Sequence, residues 1–188
     1  MLSPRDVSSF FAPGLFTEPS SHLAALVYED GPAFDRFAYH LARDLRAKGY
    51  RLAGVAQINE VRQRPGRCDM VLEDLGTGRS ILISDNRGTE ARGCHLNSAA
   101  LIEAGEIIRT QLQSPPDLLL INKFGKSETE GGGLRDVIAD AFSMGLPTLI
   151  GVPHRNLDAW QDFTQSEADR LPLDPVVISH WLLNLTQA

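Results

Sequence analysis

The residues best suited to chemistry are cationic and sit just past an apolar run. Asn122, Lys123 and Lys126 directly follow Asp117-Leu-Leu-Leu-Ile121. Lysines bring charge and an amide brings directed hydrogen bonds, so the set suits an anion such as molybdate, phosphate or a carboxylate. The alternative is a solvated loop whose lysines pair with Glu128 and Glu130. Gly125 and Gly131 to Gly133 let this loop approach a ligand closely, or serve ordinary turns. Arg87 and Arg92 lie in Asp85-Asn-Arg-Gly-Thr-Glu-Ala-Arg-Gly93, which reads as a flap able to close over an anion or as a plain surface connection. Cys94 and His95 set a thiol beside an imidazole. Neighbours on a strand point to opposite faces, which favours a structural cysteine over a shared metal. The histidines have no metal-ligand spacing, and no cofactor is assigned.

The elements that must position these groups alternate between strand and helix. His22 to Tyr28 is a short apolar strand, and the turn residues Glu29-Asp-Gly-Pro32 lead into a helix from Ala33 to Lys48. Phe34, Phe37, Ala38, Leu41 and Leu45 recur at the helical period, and Gly49 ends the helix. Tyr50 to Ile58 reads as a second strand. Cys68 to Leu75 and Ser80 to Ser84 read as a hairpin turned by Gly76-Thr-Gly78. Residues 98 to 112 form an amphipathic helix capped by Asn97 or Ser98. The unalternating run to Ile121 suits a strand buried on both faces of a parallel sheet. The glycines at 131 to 133 open a helix with Leu134, Val137, Ile138, Ala141 and Phe142 facing inward, before a strand from Thr148 to Val152. Leu157, Trp160 and Phe163 mark a short helix, followed by an apolar segment from Pro175 to Leu185. In this β-α-β order a ligand belongs at the carboxyl ends of the strands, where Asn122 stands and where His154 and Arg155 follow the last strand. The strand ending at Tyr28 is expected beside the strand ending at Ile121.

At 188 residues, 43% hydrophobic and 22% charged, the chain can bury a core as one α/β domain over residues 22–188, preceded by an irregular extension over 1–21. A net charge of −6 argues against nucleic-acid binding. No run approaches the ~20 apolar residues that cross a bilayer, and no signal-type stretch develops. Cys68 and Cys94 make neither a disulfide framework nor a zinc spacing, which fits a cytoplasmic setting. Sheets of this kind leave an edge or helix that commonly mediates self-association, so a homodimer is expected.

Four segments together resemble the small P-loop nucleoside-triphosphatases, and more closely an uncharacterised bacterial family of degenerate relatives found beside molybdate transport. They are Leu118-Leu-Leu-Ile-Asn-Lys-Phe-Gly-Lys-Ser-Glu128, Asp74-Leu-Gly-Thr-Gly78, Gly93-Cys-His-Leu-Asn97 and Gly145-Leu-Pro-Thr-Leu-Ile150, in that family's order and spacing over about residues 22 to 165. The resemblance implies a P-loop NTPase-like fold: a mainly parallel sheet flanked by helices, with an inserted β-hairpin. An active phosphate loop reads Gly-x-x-x-x-Gly-Lys-Ser/Thr, so that backbone N–H groups wrap the phosphates, the lysine neutralises them and the hydroxyl holds magnesium. Here that place reads Tyr28-Glu-Asp-Gly-Pro-Ala-Phe-Asp-Arg36, without lysine, serine or threonine. Pro32 lacks a donor, and Glu29, Asp30 and Asp35 add negative charge. The acidic pair of the active family is replaced by Asn122 and Lys123. These departures imply a non-hydrolysing binding or regulatory protein for a small anion or nucleotide, and the resemblance connects it with molybdenum handling. A triphosphatase with an atypical site and a protein-interaction module with a closed pocket are the alternatives. If the pocket survives, Tyr28, Asp30 and Gly31 line it; if it has closed, Phe34 and Phe37 fill it.

Overall fold

A computed structural model describes residues 19–58, 70–85 and 95–187. The strand-forming runs assemble into one seven-stranded sheet. Its strands are β1 (Leu23–Tyr28), β2 (Leu52–Ile58), β3 (Val71–Asp74), β4 (Ser80–Leu82), β7 (Leu118–Ile121), β8 (Thr148–Pro153) and β9 (Asp169–Leu171), ordered β4-β3-β2-β7-β8-β1-β9. From β2 to β9 every pairing is parallel, while β3 and β4 join antiparallel at the β2 side. The fold is therefore a mainly parallel α/β sheet with an inserted hairpin. A separate short pair, β5 (Ser84–Asp85) and β6 (His95–Leu96), stands outside that sheet.

Helices cover both faces because the central strands are apolar on both. Leu118 and Leu120 of β7, with Ala24 and Leu26 of β1, pack under α1 (Gly31–Ala47) and α6 (Pro175–Gln187) through Phe34, Leu41, Leu45, Ile178 and Trp181. Leu119, Ile121 and Ile150 meet α2 (Ser98–Leu112), α4 (Arg135–Ser143) and α5 (Leu157–Thr164) through Leu101, Ile108, Ile138 and Trp160. One further turn of helix, α3 (Lys126–Thr129), follows β7. Successive strand residues point to opposite faces, so one run of four apolar residues serves both cores.

Local polar chemistry fixes the ends. Asn97 caps α2 by accepting from the Ala100 N–H at 2.9 Å. The Asp74 carboxylate closes the hairpin turn by accepting from the Gly76 N–H at 2.9 Å and from the Thr77 hydroxyl. On the outer surface, Arg109 of α2 pairs with Glu106 at 2.6 Å and reaches Asp140 of α4 at 3.5 Å. Of the segment expected as an N-terminal extension, residues 19–21 are described; the N–H groups of Ser20 and Ser21 donate to the Asp169 carboxylate of β9. No helix among the described residues is long and apolar enough to cross a membrane.

Two expectations are corrected here. The strand ending at Tyr28 does not lie beside the one ending at Ile121, because β8 separates β1 from β7 and pairs with both. Strand order is set by how the crossover helices pack, which a run of apolar residues does not encode. Phe142 does not face inward: it is 40% exposed in the last turn of α4, whereas Val137, Ile138 and Ala141 are buried as expected.

Candidate functional site

The carboxyl ends of the parallel strands carry two clefts, and the singled-out residues divide between them. Asn122, Lys123 and Lys126 line the first, a cavity of about 170 Å³. Tyr28 and Asp30 line the second, an open cleft of about 330 Å³ shared with His154 and Arg170, while Gly31 begins α1 beside it. Arg87, Arg92, Cys68 and Cys94 lie outside the described residues. No group of three metal-ligating side chains occurs among the described residues.

At the second cleft the chain satisfies its own helix end. The first turn of a helix leaves N–H groups that in a phosphate loop would face the ligand. Here the Asp30 carboxylate accepts from the Ala33 N–H at 3.0 Å, the Asp30 carbonyl accepts from the Phe34 N–H at 3.0 Å, and Pro32 has no N–H to offer. Beneath this cap the Phe34 ring is fully buried and stacks on Tyr28 with centroids 4.1 Å apart and planes 6° apart. The ring also abuts the bare backbone of Gly151 in β8, where an added Cβ would come within 2.3 Å of the ring and 2.2 Å of the Asn122 carbonyl. Phe37 is half-buried and touches Phe34 only at a tilt, so Phe34 alone of the two fills the core here.

Asp35 also differs from its expected role as a charge facing the ligand. It is buried and accepts from the Asn122 side-chain amide at 2.9 Å, while the Asn122 side-chain oxygen accepts from the Gln57 N–H at 3.0 Å. Asn122 thereby ties the end of β7 to both α1 and β2. An aspartate at this position would set two buried carboxylates in contact, and the amide avoids that repulsion.

The Tyr28 hydroxyl is buried and has no hydrogen-bond partner among the described residues. Burial first, then the nearby Asp35 carboxylate, holds its phenol well above the ordinary tyrosine value, partly opposed by Arg155. A raised value in the folded chain means stability that is complete below about pH 10 and is lost as pH rises above it. Removing an orphan hydroxyl removes a desolvation penalty. Tyr28→Phe should therefore leave stability unchanged or raise it by up to about 1 kcal/mol, and should remove this alkaline loss. Urea denaturation at neutral and alkaline pH checks both, and a loss above about 1 kcal/mol at neutral pH would show that the hydroxyl has a partner.

The rim of the first cleft is built by burying what lies between its lysines. Phe124 is fully buried against Trp160, at 5.2 Å edge-on, and Phe163, at 5.6 Å. Its N–H donates to the Gly151 carbonyl at 2.8 Å, and its carbonyl accepts from the Asn156 amide at 2.8 Å. With Phe124 anchored, Lys123 and Lys126 are left at the surface, half-buried and exposed respectively.

Glu128, expected as a surface partner for a lysine, is instead buried inside the loop. Its two oxygens accept from the Gly125 N–H at 2.8 Å and the Leu134 N–H at 2.9 Å, bridging both ends of the connection that holds α3. Gly133, at φ 61°, leaves room for it, since a Cβ there would sit 2.0 Å from the carboxylate. The Arg135 guanidinium donates to the Glu128 carbonyl at 3.1 Å and lies 4.3 Å over the Phe163 ring. Lys126 does pair with Glu130, at 3.6 Å on the exposed surface. Nothing in the local sequence marks Glu128 as buried except the glycines around it.

The remaining walls of this cleft are largely apolar and come from β2, β3, α2 and the start of α4, with Val55, Leu72, Leu101 and Leu134 facing in and Gln57 and Ser127 as polar additions. The arrangement offers cations at a rim above an apolar floor, and its deeper polar groups are already engaged with the protein.

Comparison with known proteins agrees with this geometry. The crystal structure of THEP1 from the hyperthermophile Aquifex aeolicus shares the fold, with a TM-score of 0.55 and 15% identity over 87% of this chain and 95% of that one. The sheet and its flanking helices have the same overall arrangement as in that structure. The molybdenum import ATP-binding protein ModC 2 of Bradyrhizobium diazoefficiens is 34% identical over 161 residues, which is 86% of this chain but 18% of that protein's length. Residues 23–181 match a family model across nearly the whole sheet and its helices, and the chain belongs to the family described as Protein of unknown function (DUF2478).

Proposed function

We propose that this chain is a non-hydrolysing, P-loop-like binding or regulatory module that holds a small anion at the rim formed by Lys123 and Lys126, positioned by the buried Asn122, in connection with molybdenum handling. The observation that carries the reading is the self-capped helix end at the phosphate-loop position, beside which an open cleft of about 330 Å³ remains. Asp30 occupies the end of α1 where a phosphate would be cradled, and Phe34 and Tyr28 take up the space below. No lysine, serine or threonine stands there to hold a triphosphate or its magnesium. The rim lysines keep their position at the carboxyl end of a central strand, where this architecture receives ligands. Arg87 and Arg92 belong to the proposal as closing cations. The molybdenum connection rests on the similarity to part of ModC 2. Self-association as a homodimer belongs to the same reading.

Thermal unfolding with millimolar molybdate, tungstate, phosphate or sulfate, and with ATP or GTP and magnesium, tests it. At ten times its dissociation constant a tetrahedral oxyanion should raise the midpoint by roughly 3 to 6 °C, and a Lys123→Ala, Lys126→Ala double variant should lose the response. Nucleotide turnover should match a mock preparation. Magnesium-dependent hydrolysis abolished by substituting Asn122 or Lys123, or an oxyanion response equal in both proteins, would overturn the reading.

A further inference from the structure

The cleft under the rim lysines is lined in a way that a bare oxyanion does not require. Val55, Leu72, Ile83, Leu101 and Leu134 wall a cavity of about 170 Å³, and all five are buried. The deeper polar groups are in use: both ends of the Asn122 amide are bonded to Gln57 and Asp35, and both Glu128 oxygens to backbone N–H groups. Below the lysines only Gln57 and Ser127 add further polar side chains to the lining, so a hydrated tetrahedral dianion drawn into such a space would surrender water for few replacement donors. An apolar cavity of roughly 150 Å³ accommodates one six-membered ring, so the volume here matches a ring or a branched acyl group. At the rim, Lys123 is half-buried and, among the described residues, has no acidic partner, whereas Lys126 is already paired with Glu130.

From this lining we infer that the cleft binds an amphipathic anion, with a ring-sized apolar or aromatic body against Leu72, Leu101 and Leu134 and one phosphate or carboxylate on Lys123. The inference rests on the anion reading above and narrows it: the charged group is carried by an apolar body. Burial of the body supplies affinity, and Lys123 selects for charge. Leu96, 38% exposed, also lines this cleft, so a bulkier residue there would narrow it without disturbing the core.

Calorimetric titration of the full chain tests the inference with four probes: phenyl phosphate, phenol as body without charge, and inorganic phosphate and molybdate as charge without body. Phenyl phosphate should bind roughly 10- to 100-fold more tightly than inorganic phosphate. Lys123→Ala should reduce it to the level of phenol, Lys126→Ala should change it less, and Leu96→Trp should weaken phenyl phosphate and phenol alike while the unfolding midpoint of the free protein stays put. Lys123-dependent binding of phosphate or molybdate with phenyl phosphate no tighter overturns this inference and leaves the anion reading standing. Phenyl phosphate and phenol binding equally, with no effect of Lys123→Ala, also overturns it. No response to any anion overturns both.

Discussion

Truncating Phe34 to alanine should lower the unfolding free energy by about 3–5 kcal/mol, the range for removing a fully buried aromatic ring. The ring is fully buried, stacked on Tyr28 at 4.1 Å, and seated on Gly151, so the strands around it have little room to collapse into the void. The midpoint of thermal unfolding should fall by roughly 6 to 20 °C for a chain of this length. The same variant separates two accounts of the phosphate-loop position. If Phe34 merely obstructed an otherwise competent site, its removal would permit magnesium-dependent ATP turnover. Without a lysine or hydroxyl in the loop, the variant should be unstable and equally inactive. Denaturant titration with an ATPase assay reads both, and a stability loss below about 1 kcal/mol would mean that the ring is not core.

Replacing Glu128 with alanine should cost about 2–4 kcal/mol and weaken anion binding at Lys123. Its carboxylate accepts two backbone N–H bonds out of solvent, and charge-assisted bonds of this kind are stronger than neutral ones. Both donors, at Gly125 and Leu134, would be orphaned together. Glu128→Gln retains one good acceptor but turns an NH2 toward the other N–H, so it should fall between wild type and alanine. Amide hydrogen exchange gives the local readout: Gly125 and Leu134 should lose protection in the alanine variant. Lys126→Ala is the matched surface control, expected within about 0.5 kcal/mol because its pairing with Glu130 is exposed. An alanine variant that unfolds at the wild-type denaturant concentration, with both amides still protected, would refute the staple.

Much of the fold was legible because it is written in short-range patterns. The strand expected from His22 to Tyr28 is β1 from Leu23, and the helix expected from Ala33 to Lys48 is α1 from Gly31 to Ala47. The run at Leu118–Ile121 was readable as doubly buried because it lacks alternation, and the hairpin because Gly76-Thr-Gly78 separates two short strands. Each depends on residues within a few positions of one another. The placement of Lys123 and Lys126 at a strand's carboxyl end belongs to the same class.

What the amino-acid sequence determined by itself was most of the elements, though not β9 or α3, the absence of lysine, serine or threonine just after β1, and the position of Asn122, Lys123 and Lys126 beyond β7. Only the tertiary structure decided that β8 separates β1 from β7, that Tyr28 and Asp30 belong to a different cleft from the lysines, and that Asp35 is bonded to Asn122. It also turned Glu128 from an apparent surface partner into a buried staple, and gave the lysines an apolar floor from residues as distant in the chain as Val55 and Leu134. The physical reason is common to all of these. Periodicity, capping and turn chemistry act through neighbours along the chain, whereas what fills a cavity or satisfies a buried carboxylate depends on groups that only packing of the whole sheet brings together.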